Sequence, residues 1–200
     1  MKSTVVAIAI VLSLSLELPA QSKSYDGVWW QLRTSPEQEG FIFGYGACYA
    51  SAPDQKVRVS IDDANMRIAV GVFYQAHQSQ RTRPVGHVLQ DIWAGHVSVP
   101  YASHVLPGEG WRERHGYFDG LWWKGSNHPE QVGFVEGYAT CYNSEHRKAK
   151  LLSLEPEKYV WLLSTWYSPG GDESVSAERQ AEKIADVLPR FSEQNGLASK

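Results

Sequence analysis

The chain carries only two cysteines in 200 residues, Cys48 and Cys141, which excludes four-thiolate zinc motifs and a multi-bridge disulfide scaffold. It has no Cys-x-x-Cys, no His-Glu-x-x-His and no acidic calcium loop, so no residue pattern calls for a metal or any other cofactor. Basic runs are also missing. The net charge is -3 and the pI about 6.2, which removes the electrostatic footprint of a nucleic-acid binder. Long apolar runs are scarce too. The one present, Val5 to Leu16, follows Lys2 and is cut short by Glu17. A membrane-spanning helix wants roughly 20 apolar residues, and Leu18-Pro19-Ala20 supplies a small-residue cleavage site, so residues 1-20 read as an export signal. The expectation is a periplasmic or secreted protein that makes no membrane contact after cleavage.

What the chain does have is a second copy of itself. Residues 25-74 and 118-167, laid over each other at an offset of 93, agree at 16 of 50 positions without a gap. The shared set includes Asp26/Asp119, Trp29-Trp30/Trp122-Trp123, Pro36-Glu37-Gln38/Pro129-Glu130-Gln131, Gly40-Phe41/Gly133-Phe134, Gly44-Tyr45/Gly137-Tyr138 and Cys48-Tyr49/Cys141-Tyr142. Most of these residues pack rather than react. None of the seven histidines, His77, His87, His96, His104, His115, His128 and His146, has a counterpart in the other copy. A Cys-His nucleophile pair duplicated with the fold is therefore not supported.

Both copies predict the same helical plan, and the fold class is all-α. Residues 21-94 form one repeat and 118-192 the other, each with about three longer helices after a short aromatic one capped by Asp26 or Asp119. In the first repeat, Ser35-Pro36-Glu37-Gln38 combines an N-cap serine with Pro at the first helical position, opening a helix to about Ala50. A second helix starts at Ser60-Ile61-Asp62-Asp63, and the spacing of Ile61, Ile68, Ala69, Val72, Phe73 and Ala76 predicts its inward face. A third follows Arg83-Pro84 and turns Val85, Val88, Leu89, Ile92 and Trp93 inward. The second repeat predicts helices over Pro129 to Asn143, Ser153 to Ser168 and Ser176 to Phe191. The last aligns at offset 99, after an insertion around Ser168-Pro169-Gly170-Gly171-Asp172, and Pro189 should end or kink it. Strand signals are limited to Lys56 to Ser60 and Val97 to Val99. Residues 95-117 are rich in Gly and Pro and read as a linker, and 193-200 read as a disordered tail.

The stripes Gly40-x-x-x-Gly44-x-x-x-Cys48 and Gly133-x-x-x-Gly137-x-x-x-Cys141 put three small residues on one helix face. Glycine inside a helix costs about 1 kcal/mol relative to alanine, so a close approach of something is implied. Either each stripe packs within its own repeat, against the Trp-Trp segment or the next helix, or the two stripes face each other across an approximate twofold axis. Facing stripes would bring Cys48 and Cys141 together, and an exported chain permits a disulfide between them; otherwise both are buried free thiols. Trp29, Trp30, Trp122 and Trp123 read first as core, since neighbours on a helix point about 100° apart. Glu37 and Glu130 read as first-turn acids favoured by the helix dipole before they read as a hydrolytic carboxylate pair.

The layout of each copy resembles the small exported helical proteins of the Tai-type immunity family, which protect bacteria from amidase toxins delivered by type VI secretion. Phe43-Gly44-Tyr45, the turn Tyr74-Gln75-Ala76-His77 and the helix led by Arg83-Pro84 carry the resemblance, which covers most of the first copy and less of the second. It implies a protein partner, namely a cell-wall-degrading enzyme that this chain would inhibit. The chain departs from the family pattern of single units in being doubled, with cysteines only on the Gly-rich helices. The expected contact surface lies in the linker at Trp111, Arg112, Arg114 and His115, because loops carry specificity. Two other readings stand beside this one: a glycan or peptidoglycan binder that uses exposed Trp, and a hydrolase whose site the sequence does not display.

Overall fold

A computed structural model describes residues 25-51, 59-61, 63-98, 103-104, 118-145, 154-168 and 177-194. The expected export signal falls outside them, as do Trp111, Arg112, Arg114 and His115. Among the described residues the protein is helical. The first half carries α1 (Gly27–Gln31), α2 (Ser35–Tyr49), α3 (Asp63–Ala76), a 3-10 turn at Gln78–Gln80 and α4 (Val85–Trp93). The second carries α5 (Gly120–Gly125), α6 (His128–Glu145), α7 (Pro156–Tyr167), α8 (Ala177–Ala181) and α9 (Ile184–Gln194). A two-residue antiparallel ladder joins β1 (Val59–Ser60) to β2 (Ser103–His104). The expected linker thus ties back to the first half at its start, and its strand lies beyond the Val97 to Val99 segment that the sequence suggested.

The centre of the molecule is the α2–α6 pair. A Cβ built on Gly40 would collide with the Glu130 carbonyl, and one on Gly44 with the Phe134 carbonyl, 2.7 Å from its carbon and 2.8 Å from the Tyr138 nitrogen. In return, Gly133 faces the Glu37 carbonyl and Gly137 the Phe41 carbonyl. Moving up one helix moves up the other, so the two run parallel with backbones in van der Waals contact. This overturns packing of each stripe within its own repeat: the Trp-Trp segments sit on other faces, and only a facing backbone is thin enough to use both stripes. Cys48 and Cys141 are bonded, with Cα atoms 6.0 Å apart, so neither is a free thiol. The bond locks the same end of both helices.

Around this pair each half wraps its aromatics. Trp29, Trp30, Phe41, Tyr45, Val85, Leu89, Ile92 and Trp93 are buried in the first, and Trp123, Phe134, Tyr138, Tyr159, Leu163, Tyr167, Leu188 and Phe191 in the second. Trp122 is only half-buried. Backbone ties recur in pairs. Val85 N–H donates to Tyr25 O as Ile184 N–H does to Phe118 O, both at 2.8 Å. The Tyr74 hydroxyl donates to Arg83 O and the Tyr167 hydroxyl to Glu182 O. An ion pair survives with its ends exchanged: Arg83 holds Asp91 at 2.6 Å, whereas Glu182 holds Arg190.

Several local expectations are corrected. Thr34, not Ser35, caps α2, through a capping box with Glu37, because Glu37 stands three residues on and reaches back to the Thr34 N–H. α3 starts at Asp63, since Ser60 is spent in the ladder. Ile68 and Val72 are 47% and 42% exposed, and Ala76 is also exposed. The buried stripe is Met66, Ala69, Val70, Phe73 and Tyr74, rotated because Phe73 and Tyr74 both have partners to reach. The expected helix over 176-191 is broken between α8 and α9, where Lys183 bridges to Asp119. Pro189 does not end α9, which runs on to Gln194, two residues into the expected tail. A proline strips the helix of a donor to the carbonyl four residues back. That carbonyl belongs to Ala185, and it accepts instead from the Tyr138 hydroxyl at 2.9 Å.

Candidate functional site

A cleft of about 220 Å³ opens where the start of α2, the first turns of α6 and the start of α7 converge; it is lined by Arg33, Glu37, His128, Pro129, Val132, Glu136, Glu155, Pro156 and Glu157. Most of the lining residues are placed by helix starts, with Val132 and Glu136 further along α6. The capping box fixes Glu37, Asn127 Oδ1 accepts from Glu130 N–H and sets the first turn of α6, and Pro156 opens α7 after Glu155.

The cleft wall contains the one described carboxylate in the core. Glu136 is 2% exposed. The Tyr25 hydroxyl donates to it, and burial together with that carboxylate pushes the phenol well above its ordinary range, against the pull of Arg33. Arg33 reaches Glu37 at 3.1 Å and lies over the Trp29 ring, 5.3 Å from its centroid. Burial raises the Glu37 carboxyl, but the Thr34 N–H and hydroxyl and the Arg33 charge outweigh it and hold the group below the usual carboxylate value. At the rim, His128 meets Glu157 at 3.2 Å, with both side chains more than 60% exposed.

The matching positions of the other half look different. In place of Glu136 stands Phe43, and in place of Tyr25 stands Phe118, their ring centroids 5.3 Å apart with Trp122 alongside. Arg33 has Ser126 as its counterpart, and Val132 has Glu39. Glu130, the partner of Glu37 in the repeat, is pushed upward by burial and by the Glu39 carboxylate, which outweigh its hydrogen bonds from Asn127 and Ser126.

Sequence reasoning missed this cleft. Of the residues that the sequence analysis names, Glu37, His128 and Pro129 line it, none of them as part of a site; Glu37 reads there as a first-turn acid, a structural role that the capping box supports. The available signal was the mismatch between copies at 43/136 and 25/118, which hides when attention goes to what the copies share. The remaining repeat residues, Trp29, Trp30, Trp123 and the four stripe glycines, are internal. Among the described residues no group of three His, Cys, Asp or Glu side chains is arranged to hold a metal ion, and no helix is long and apolar enough to cross a membrane. No family model matches the chain, and no curated protein or solved structure matches it either.

Proposed function

We propose that this protein is an exported, helical protein-binding module, two repeats packed with approximate twofold pseudo-symmetry, acting on another protein without a reaction of its own. The reciprocal contacts of the glycine stripes and the paired backbone ties support the pseudo-symmetry. The observation that carries the binding role is where the repeated residues go: into the α2–α6 contact and the two aromatic cores, not around a reacting centre. Some of what differs between the copies, Arg33, Val132 and Glu136 against Ser126, Glu39 and Phe43, lines the cleft. The resemblance to the Tai-type immunity family supports an inhibitor of a cell-wall-degrading enzyme as the specific role, in the periplasm or outside the cell.

The glycan-binding alternative loses the tryptophans on which it was first built, since Trp29 is 7% exposed and Trp122 is half-buried. It retains Trp161, which is 66% exposed on α7. Among the described residues the hydrolase alternative finds a carboxylate beside a histidine at the cleft rim, His128–Glu157, and after α4, where His96 stands 3.6 Å from Asp91; both histidines are exposed, and water screens the pairs.

The test is affinity capture from periplasmic extract with the tagged chain, followed by assay of any captured cell-wall hydrolase with and without it. Capture and inhibition of such an enzyme is the expected result. Absence of a stable protein partner, together with binding to purified peptidoglycan, would overturn the reading in favour of the glycan binder.

A further inference from the structure

The chain carries its own control for the cleft. At one position of the repeat it has solved the packing with Phe43 against Phe118, and at the other it keeps Glu136 against Tyr25. Carboxylate and hydroxyl come and go together. A buried carboxylate costs several kcal/mol in desolvation, only partly returned by its hydrogen bonds, and the apolar solution is already available in the same fold. Local rules are broken in this way where a site needs the group for something other than packing.

The charges of the cleft say what that group would meet. Glu37, Glu136, Glu155 and Glu157 stand against Arg33 and His128. Arg33 is engaged by Glu37 and His128 by Glu157, so the lining is net negative whether or not His128 is protonated. Pro129, Val132 and Pro156 add apolar wall. An apolar stem bearing a cationic head fits such a lining, and a planar guanidinium matches carboxylates better than an ammonium does. A bare metal ion does not fit, since no three ligands converge. One turn along α7 from Glu157, on the same helix face, Trp161 stands 66% exposed, the kind of aromatic that anchors a protein contact.

We propose that the cleft receives an arginine side chain of a protein partner, with Glu136 and Glu155 accepting its charge and Trp161 flanking it. That the arginine comes from a protein rests on the binding reading above; the chemistry of the pocket is tested apart from it. The full chain, isotope-labelled, is titrated with N-acetyl-arginine-methylamide, with its lysine and glutamine equivalents, and with calcium chloride, and followed by NMR.

The arginine probe should move the amides of Arg33, Val132 and Glu136 and the indole N–H of Trp161, the lysine probe less so and the glutamine probe not at all. Glu136→Gln and Glu155→Gln should each weaken the arginine probe by roughly five- to tenfold, the loss of one charge-assisted hydrogen bond, while Glu130→Gln, at a residue that does not line the cleft, leaves it unchanged. Glu155 is exposed, so its variant keeps the fold even if the Glu136 variant does not. Equal shifts with the glutamine probe, insensitivity to both cleft variants, or tighter binding of calcium than of arginine would each overturn the proposal. A chain that captures its hydrolase as well after Glu155→Gln as before sinks the pocket and spares the binding reading. Arginine binding in a chain that captures no protein does the reverse.

Discussion

The two aromatic corners beside the α2–α6 pair, Tyr25–Glu136 and Phe118–Phe43, occupy matching positions of one repeat and have been given opposite chemistry. One is a buried acid with a phenol, beside an open cleft; the other is a ring on a ring, closed by Trp122. The two corners hold equivalent positions of the sequence repeat, although Arg33 and Val132 beside the open one are replaced by Ser126 and Glu39 beside the other, so the difference sets a buried polar pair against an apolar one. The closed corner packs with rings alone, whereas at the open one an acid sits in a cross-linked core that is apolar, among the described residues, but for Ser192.

The comparison assumes that both halves lean equally on their shared contact, and the largest expected effect tests this. Gly44→Ala and Gly137→Ala each drive a methyl into the opposite helix backbone, where neither side can yield. Each should cost about 4 kcal/mol or more, or prevent folding, as overpacking against backbone does at its upper end. Urea unfolding of the two variants should give similar losses. If one is tolerated, the halves are not equivalent at their contact and the comparison of corners loses its basis.

Next in size is the cross-link. Cys48→Ser with Cys141→Ser releases a constraint spanning a sequence separation of 93, worth roughly 4–5 kcal/mol on the chain-entropy model. The thermal midpoint should fall, with the helical circular dichroism spectrum retained at low temperature. An unchanged midpoint would mean that the glycine contact alone holds the halves together.

A smaller change acts on the corner itself. Tyr25→Phe with Glu136→Phe copies the closed corner onto the open one and should stabilise the chain by about 1–3 kcal/mol, as replacing buried charge with apolar groups often does, while abolishing arginine binding. The reverse exchange, Phe43→Glu alone, should destabilise. A double variant less stable than the wild type would show that Glu136 is structural, and the two corners would then teach nothing about function.

The smallest effect is a difference in pH response between matching glutamates. Glu37 titrates below its ordinary value of 4.5, so its contribution is complete above that pH and is lost as pH falls through the lowered value. Glu130 titrates above 4.5, so its contribution is complete below that pH and is lost as pH rises through the raised value. Glu37→Gln should therefore cost stability at pH 7 and progressively less as pH falls below 4.5, whereas Glu130→Gln should be neutral or mildly stabilising at pH 7. Stability against pH for the two variants should diverge in opposite senses; parallel curves would remove this contrast.

Much of the fold could be read from residues alone where one local rule acted without competition. The inward faces of α4 and α9, Val85, Val88, Leu89, Ile92 and Trp93 with Ile184, Val187, Leu188 and Phe191, are all buried as their spacing required. Where a distant group competed, the local rule lost. Pro189 would break an isolated helix, but a tyrosine from α6 satisfies the stranded carbonyl. Ile68 and Val72 are as apolar as their buried neighbours, yet the aromatic pair Phe73–Tyr74 set the rotation of α3 and left them outside. The candidate site was the least legible part, since Arg33 and Glu37 on one side of it stand more than 90 residues along the chain from the α6 and Glu155 to Glu157 members on the other.

By itself, then, the sequence determined that the chain is helical, that it is doubled, and that glycine stripes and aromatic pairs are its structural capital, because each of these follows from periodicity and repetition within a few turns of chain. Which surface the stripes would meet, whether the two thiols would join, and which corner would stay open were decided only in three dimensions. A stripe of small residues specifies close approach without naming its partner, and a glutamate reads as an exposed charge until packing from another element encloses it.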